Sequence, residues 1–174
     1  FGAMAVPHAP QHKGKPLNID NALAFAIKDK GAWLGRVTDT GDLTFEPLKT
    51  QADDLSKPYQ FAVSLEHGGN LAAMFPEGEV ETVKLDSQAK YLAVAANDLD
   101  AYMRKSRGDG GTDVTWDHMP GALIALEAGA RVCQFDGKPA VFEPQRTVAF
   151  AGGVACHRGA ADGPVGQMVA KLSD

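Results

Sequence analysis

Asp117, Ser87, Lys90 and Arg104 are the side chains whose types and spacing best suit chemistry on a charged small molecule. Asp117 follows Trp116 at the end of the β-branched run Val114-Thr115 and precedes an apolar segment. In that segment Met119, Ala122, Leu123, Leu126 and Ala130 recur at helical spacing. Pro120 stands where a first helical turn tolerates a missing N–H, and Gly129 supplies a stop. The carboxylate is thereby expected at a helix N-terminus beside the C-terminal edge of a strand, where α/β folds hold ligands. Read without context, it is equally a helix-capping acid.

Ser87 opens a second helical pattern, with Ala89, Leu92, Ala93 and Ala96 on one face and Asp86 or Ser87 as the N-cap. Free N–H groups at such a start favour an anion, and Lys90 adds a positive charge one turn in. The alternative is a capping serine beside a solvated lysine. Arg104 could clamp a phosphate through two parallel hydrogen bonds. It could instead belong with Lys105 and Arg107 to a cationic turn balanced by Asp109 and Asp113. Ser64 and His67 follow a strand-like run, and His67 reads either as a phosphate contact or as a loop histidine. His118 is expected to point down its helix without a role, and Tyr102 and Trp116 to serve as packing residues.

These residues must be carried by an alternation of strands and helices. Leu23 to Ile27 and Ala32 to Val37 read as a hairpin turned by Asp29-Lys30-Gly31, and Leu43 to Phe45 as a third strand. Tyr59 to Leu65, Val80 to Leu85, Ala101 to Arg104, Arg131 to Phe135 and Val148 to Ala151 are further strands. Helices are expected over Ser87 to Asn97, after Trp116-Asp117, and near Val165 to Leu172, with a short one over Asn70 to Phe75. The pattern indicates a layered α/β sandwich, a mixed sheet flanked by helices. Residues 1–19 read as an N-terminal tail or strand remnant followed by a polar loop, and residues 20–174 as a single domain. Phe1 stands where a Met would begin a chain, and Gly2-Ala3-Met4 reads as a scar before a chosen start or as part of that strand remnant.

The segment from Trp116 to Pro139 resembles the C-terminal signature of the inositol monophosphatase family, the Mg²⁺-dependent, lithium-sensitive phosphomonoesterases. The family pattern W-D-x-x-x-G, a small apolar helix, E-A-G-G and D-G-x-P is matched by four spaced elements. They are Trp116-Asp117, Gly121, Glu127-Ala128-Gly129 and Asp136-Gly137-Lys138-Pro139, with Ala130 replacing a glycine. Upstream, Ser87-Gln88-Ala89-Lys90-Tyr91, Ala101-Tyr102-Met103-Arg104 and Ser64-Leu65-Glu66-His67 resemble the 3′(2′),5′-bisphosphate nucleotidase branch.

The resemblance implies the C-terminal domain of the inositol monophosphatase and sugar phosphatase fold. It makes Asp117 a metal ligand and Ser64, His67, Ser87, Lys90 and Arg104 contacts for a small phosphorylated metabolite. The implied cofactor is Mg²⁺, two or three ions in a complete enzyme. The family's D-P-x-D-G-T and G-E-E motifs do not occur in the sequence, so no complete catalytic set is expected and the chain alone should be inactive. A non-catalytic anion-binding or partner-binding domain is the alternative, and a homodimer or an N-terminal half is an expected partner.

Composition bounds the remaining possibilities. At 174 residues with 44% hydrophobic and 22% charged residues, the chain can build one globular core. A net charge of −5 excludes a general binder of nucleic-acid polymers, and no apolar run approaches a membrane span. Cys133 and Cys156 lack metal-type spacing and suggest reduced thiols in a cytoplasmic protein.

Overall fold

The computed structural model of the chain describes residues 1–52, 55–65, 71–106 and 112–173. In chain order the first strands are β1 (Gly2–Val6), β2 (Gln11–His12), β3 (Lys15–Pro16), β4 (Ala22–Ile27), β5 (Gly31–Val37) and β6 (Leu43–Leu48). Then come β7 (Tyr59–Val63), β8 (Val80–Lys84), α1 (Ala89–Ala95), β9 (Ala101–Lys105) and β10 (Asp113–Val114). The chain continues through α2 (Met119–Ala128), β11 (Arg131–Gln134), β12 (Thr147–Val148), β13 (Gly153–His157) and α3 (Pro164–Ala170).

Two sheets sandwich two helices, and a third helix closes the outside. The first sheet has the order β1-β4-β5-β6 and is antiparallel throughout. Ala24, Ala26 and Ala32 turn inward from it, small enough to let α2 settle against β1, β4 and β5. The second sheet, β11-β13-β9-β7-β8, is mixed: β8, β7 and β9 are parallel, whereas β13 is antiparallel to both of its neighbours, β9 and β11. One face, with Ala62, Tyr102 and Cys156, joins α1 and α2 in the main core. The other, with Phe61, Met103 and Cys133, packs on Val165, Met168 and Val169 of α3. Cys133 and Cys156 are therefore free thiols on opposite sides of one sheet.

The α/β sandwich expected from the alternation of elements is what the chain forms. Several local expectations change. Residues Gly2 to Val6 pair along their length with β4, and Leu17 and Ile19 lie in the main core. Part of the segment read as a polar loop closes the small β2–β3 hairpin. The strand expected over Val148 to Ala151 is only the two-residue β12, and the central strand β13 that follows it was not anticipated. All five β13 residues are buried, so Gly-Val-Ala-Cys-His carries no alternation to mark it. The helix expected over Asn70 to Phe75 is a single 3₁₀ turn, Leu71–Met74, with Asn70 outside the described residues.

Much of the Trp116-to-Pro139 signature serves architecture. The Glu127 carboxylate accepts the Asp29 N–H at 2.8 Å and the Gly31 N–H at 2.9 Å, tying α2 to the β4–β5 turn. Asp136 accepts the Lys138 N–H at 3.0 Å and pairs with its ammonium at 2.8 Å, shaping the turn after β11. Gly129 ends α2 in the left-handed conformation at φ 99°. At Gly121 a Cβ would meet Tyr91 Cδ2 at 3.0 Å and the Gln88 side chain at 3.1 Å, so only glycine lets α1 and α2 approach this closely.

Candidate functional site

The parallel strands β7, β8 and β9 end on the same edge of the mixed sheet. Ser64 follows β7, Asp86 and Ser87 lie shortly after β8, and Arg104 is near the end of β9. Because strand side chains alternate, Arg104 shares the α1–α2 face of β9 with Tyr102. The Gln88 side chain then joins this edge to the Asp117 segment, donating to the Trp116 carbonyl at 2.9 Å and accepting the Gly121 N–H at 2.6 Å. Ser87, Lys90, Arg104 and Asp117 are thus carried by elements that touch. Ser64 sits beside Leu85, whose N–H reaches the Val63 carbonyl at 2.9 Å.

Asp117 ends a 3₁₀ turn, Thr115–Asp117, and is exposed rather than buried. It does not cap α2. That position belongs to His118, and no side chain makes the cap bond. The carboxylate is thereby left to solvent or to a cation. Hard divalent ions take oxygen ligands, and Asp117 fits as one of them. Among the described residues no group of three His, Cys, Asp or Glu side chains could complete such a site.

Ser87 is not the N-cap either. Its φ is +52°, its N–H donates to the Asp86 carboxylate at 2.8 Å, and α1 begins at Ala89 after Gln88. At seven residues, α1 is too short for its N-terminal field to act as an anion site. What remains is an exposed Ser87 hydroxyl beside a charged edge.

Lys90 departs further from expectation. It is not solvated: the residue is 5% exposed. Its ammonium lies 3.4 Å from the Leu85 carbonyl and 5.4 Å from the centre of the Tyr102 ring. Burial pulls its pKa down to about 8, with Asp86 opposing that shift and Arg104 adding to it. Lys90 therefore holds a buried positive charge at neutral pH. An anion arriving there would meet little screening.

Arg104 pairs with Asp113, one of the two acids considered as partners, at 2.6 Å. Arg107 and Asp109 lie outside the described residues, as do His67 and Glu66. Behind the pair stands His118, which sequence reasoning left idle. Its Nδ1 is 2.8 Å from the Tyr91 hydroxyl and its Nε2 is 3.8 Å from Asp113. Burial depresses its pKa to about 4, keeping the ring neutral near pH 7 despite Asp113. Tyr91 is fully enclosed and its phenol is pushed well above the ordinary value by desolvation. Gln88, Tyr91 and His118 are thus the residues to which sequence reasoning gave no role at the site. The signal available was their adjacency to Ser87, Lys90 and Asp117.

Tyr102 is a core residue as expected, edge-on to Tyr91. Trp116 is not: it is 55% exposed, with the Arg146 guanidinium 5.7 Å from its ring. No helix among the described residues is long and apolar enough to cross a membrane.

The family model of the inositol monophosphatase family matches residues 2–167. Among curated proteins, 3′,5′-bisphosphate nucleotidase 2 of Arabidopsis thaliana is 39% identical over 72 residues, 41% of this chain and 20% of that protein. Probable 3′(2′),5′-bisphosphate nucleotidase 4 of the same plant is 30% identical over 152 residues, 82% of this chain and 41% of that protein. The matched region thus spans well under half the length of these relatives. Among solved structures, CysQ from Bacteroides thetaiotaomicron superposes with a TM-score of 0.57 at 21% identity, covering 80% of this chain and 54% of that one. An IMPase from Thermotoga maritima gives 0.54 at 16% identity, covering 91% of this chain and 58% of that one. Both share the fold.

Proposed function

The chain belongs to the inositol monophosphatase family, and from that premise we propose that it is the C-terminal part of a Mg²⁺-dependent phosphate monoester hydrolase. The substrate class is a 3′(2′),5′-bisphosphate nucleotide, ahead of inositol or sugar phosphates. The observation that carries this reading is the meeting of the α1 start, the end of β9 and the Asp117 turn on one edge.

A phosphate monoester brings two negative charges near neutral pH, and each group at the edge answers part of that need. Asp117 would hold one side of a divalent cation, with further acidic ligands coming from outside this chain. Such a cation, when bound, neutralises phosphate charge and lowers the pKa of a bound water. Lys90 meets the ester with a poorly screened positive charge, and the Ser64 and Ser87 hydroxyls can donate to phosphate or ribose oxygens. Arg104, about a third exposed, can offer N–H groups to a second phosphate, the feature that separates a bisphosphate from a monophosphate. His67 is proposed as a further phosphate contact on the strength of the S-x-x-H resemblance alone.

One observation favours the second reading, a non-catalytic anion-binding or partner-binding domain: no three-acid cluster exists among the described residues. Phosphate release separates the two. The full-length protein with Mg²⁺ should hydrolyse adenosine 3′,5′-bisphosphate faster than inositol phosphate, and residues 1–174 alone should stay near background. Adding a polypeptide that supplies D-P-x-D-G-T and G-E-E motifs should restore turnover. A full-length protein that releases no phosphate from any of these esters would sink the enzyme reading and leave the binding domain.

A further inference from the structure

Asp113 carries an ion pair whose geometry is more specific than charge balance needs. Its residue is 8% exposed, and its Oδ1 accepts from Arg104 Nη2 at 2.6 Å while the arginine side chain keeps 32% of its surface. Both ends are held by strands. Arg104 lies opposite Val154 in the β9–β13 ladder, and Asp113 lies opposite Val148 in β10–β12. The Thr115 N–H bond to the Arg146 carbonyl, at 2.9 Å, continues that second ladder toward Asp117. The other carboxylate oxygen of Asp113 faces His118 Nε2 at 3.8 Å, and His118 is in turn held by Tyr91 of α1 at 2.8 Å. A long, rotamer-rich side chain at the rim of the site is thus held from beneath by buried Asp113, with His118 and Tyr91 packed behind it against α1.

A guanidinium has five N–H donors in a rigid fork; Asp113 engages one of its nitrogens, Nη2, and the Tyr102 side chain also bonds to it. We infer that Asp113 is a positioning residue that aims the partly exposed Arg104 guanidinium at the second phosphate of a bisphosphate substrate. This rests on the nucleotidase reading above and adds to it a specificity device below the contact surface. Without the clamp, Arg104 keeps its charge but must be ordered anew at each binding event. The loss should therefore fall on the affinity for a two-phosphate ligand rather than on the bond-breaking step.

The test is steady-state kinetics of the full-length protein and its Arg104→Ala, Asp113→Asn and doubly substituted forms. Adenosine 3′,5′-bisphosphate is compared with adenosine 3′-monophosphate, which lacks the second phosphate. Loss of one charged hydrogen-bonded contact is expected to raise KM for the bisphosphate roughly tenfold. That rise should appear in each single variant and should exceed any change in kcat or in the monophosphate KM. The double variant should be no worse than either single one, since both remove the same aimed contact. Asp113→Glu keeps the charge but displaces the fork, and is expected to recover the bisphosphate KM only in part. It also carries the comparison should Asp113→Asn fail to fold, which a thermal melt reports.

A raised KM in Arg104→Ala with an unchanged or lowered KM in the Asp113 variants would overturn the inference while leaving the nucleotidase reading intact. An unchanged KM in Arg104→Ala would overturn it as well, because there would then be no contact to aim. A wild-type protein that ignores the bisphosphate would instead show that the nucleotidase reading itself had failed.

Discussion

Strand β9 carries an arginine–aspartate pair at each end, and the two are built to opposite ends. At its start, Asp100 meets Arg158, with side chains 8% and 5% exposed. Arg158 also reaches the Gln51 carbonyl and Asn97 Oδ1, each at 3.4 Å. Asp100 in turn accepts the Gln60 N–H at 2.7 Å and so tethers β7. At the other end, four residues or roughly 13 Å along the strand, Arg104 keeps a third of its surface while its partner Asp113 is buried. The closed pair spends its donors on the chain and stitches strands together. The half-open pair leaves donors for something else. What separates a stitch from a presented cation here is burial of the guanidinium, since both carboxylates are equally enclosed.

That contrast is open to attack. Arg158→Met leaves Asp100 buried without its counter-charge and should cost about 3–5 kcal/mol of stability, read as a shift in the urea midpoint. A loss near zero would erase the distinction between the ends. Gly121→Ala drives a methyl against Tyr91 and Gln88, which carry the His118 and Trp116 contacts of the site end. Overpacking of this kind should cost about 1–3 kcal/mol and weaken phosphate-ester binding as well, by calorimetry. Arg104→Met should cost only about 1 kcal/mol, because water can reach Asp113 through the opening that the arginine leaves. A penalty matching that of Arg158→Met would mean that the site end is a stitch too.

Titration sharpens the same comparison. His118 has its pKa lowered by burial to about 4 in the folded chain. Below pH 6.5 the unfolded chain therefore binds the extra proton first, so stability is lost as pH falls from about 6.5 toward 4. Urea midpoints at pH 7 and pH 5 should show this slope, and His118→Gln should reduce it, leaving the part due to His157, whose pKa burial also lowers. Lys90 acts on binding. Its ammonium, with a pKa near 8, is present below that value and disappears above it. Affinity for phosphate esters should therefore fall as pH rises through 8, and Lys90→Arg should carry it to higher pH. An affinity flat from pH 7 to 9.5 would remove Lys90 from the site.

The β4–β5 hairpin, α2 and its glycine stop were legible because each has a local cause: alternation, helical spacing, a left-handed cap. Asp117 was legible for the same reason, as an acid at the junction of a strand-like run and a helix. Strand β13 was not, because burial on both faces removes the pattern by which a strand is recognised. Nor were the states of Lys90 and His118, since desolvation depends on what other elements lay over them. Ser87 shows the reverse error, where a good capping residue takes a left-handed conformation and Gln88 becomes the cap.

The residues alone determined the class of fold and those elements with a local pattern, such as the β4–β5 hairpin and α2, which follow from short-range periodicity and side-chain type. Only the folded chain decided which carboxylate holds Arg104, that Lys90 is buried beside Tyr102, and that Glu127 and Asp136 serve turns. Those outcomes depend on groups far apart in sequence entering the same small volume, where solvent no longer sets their charge or their partners.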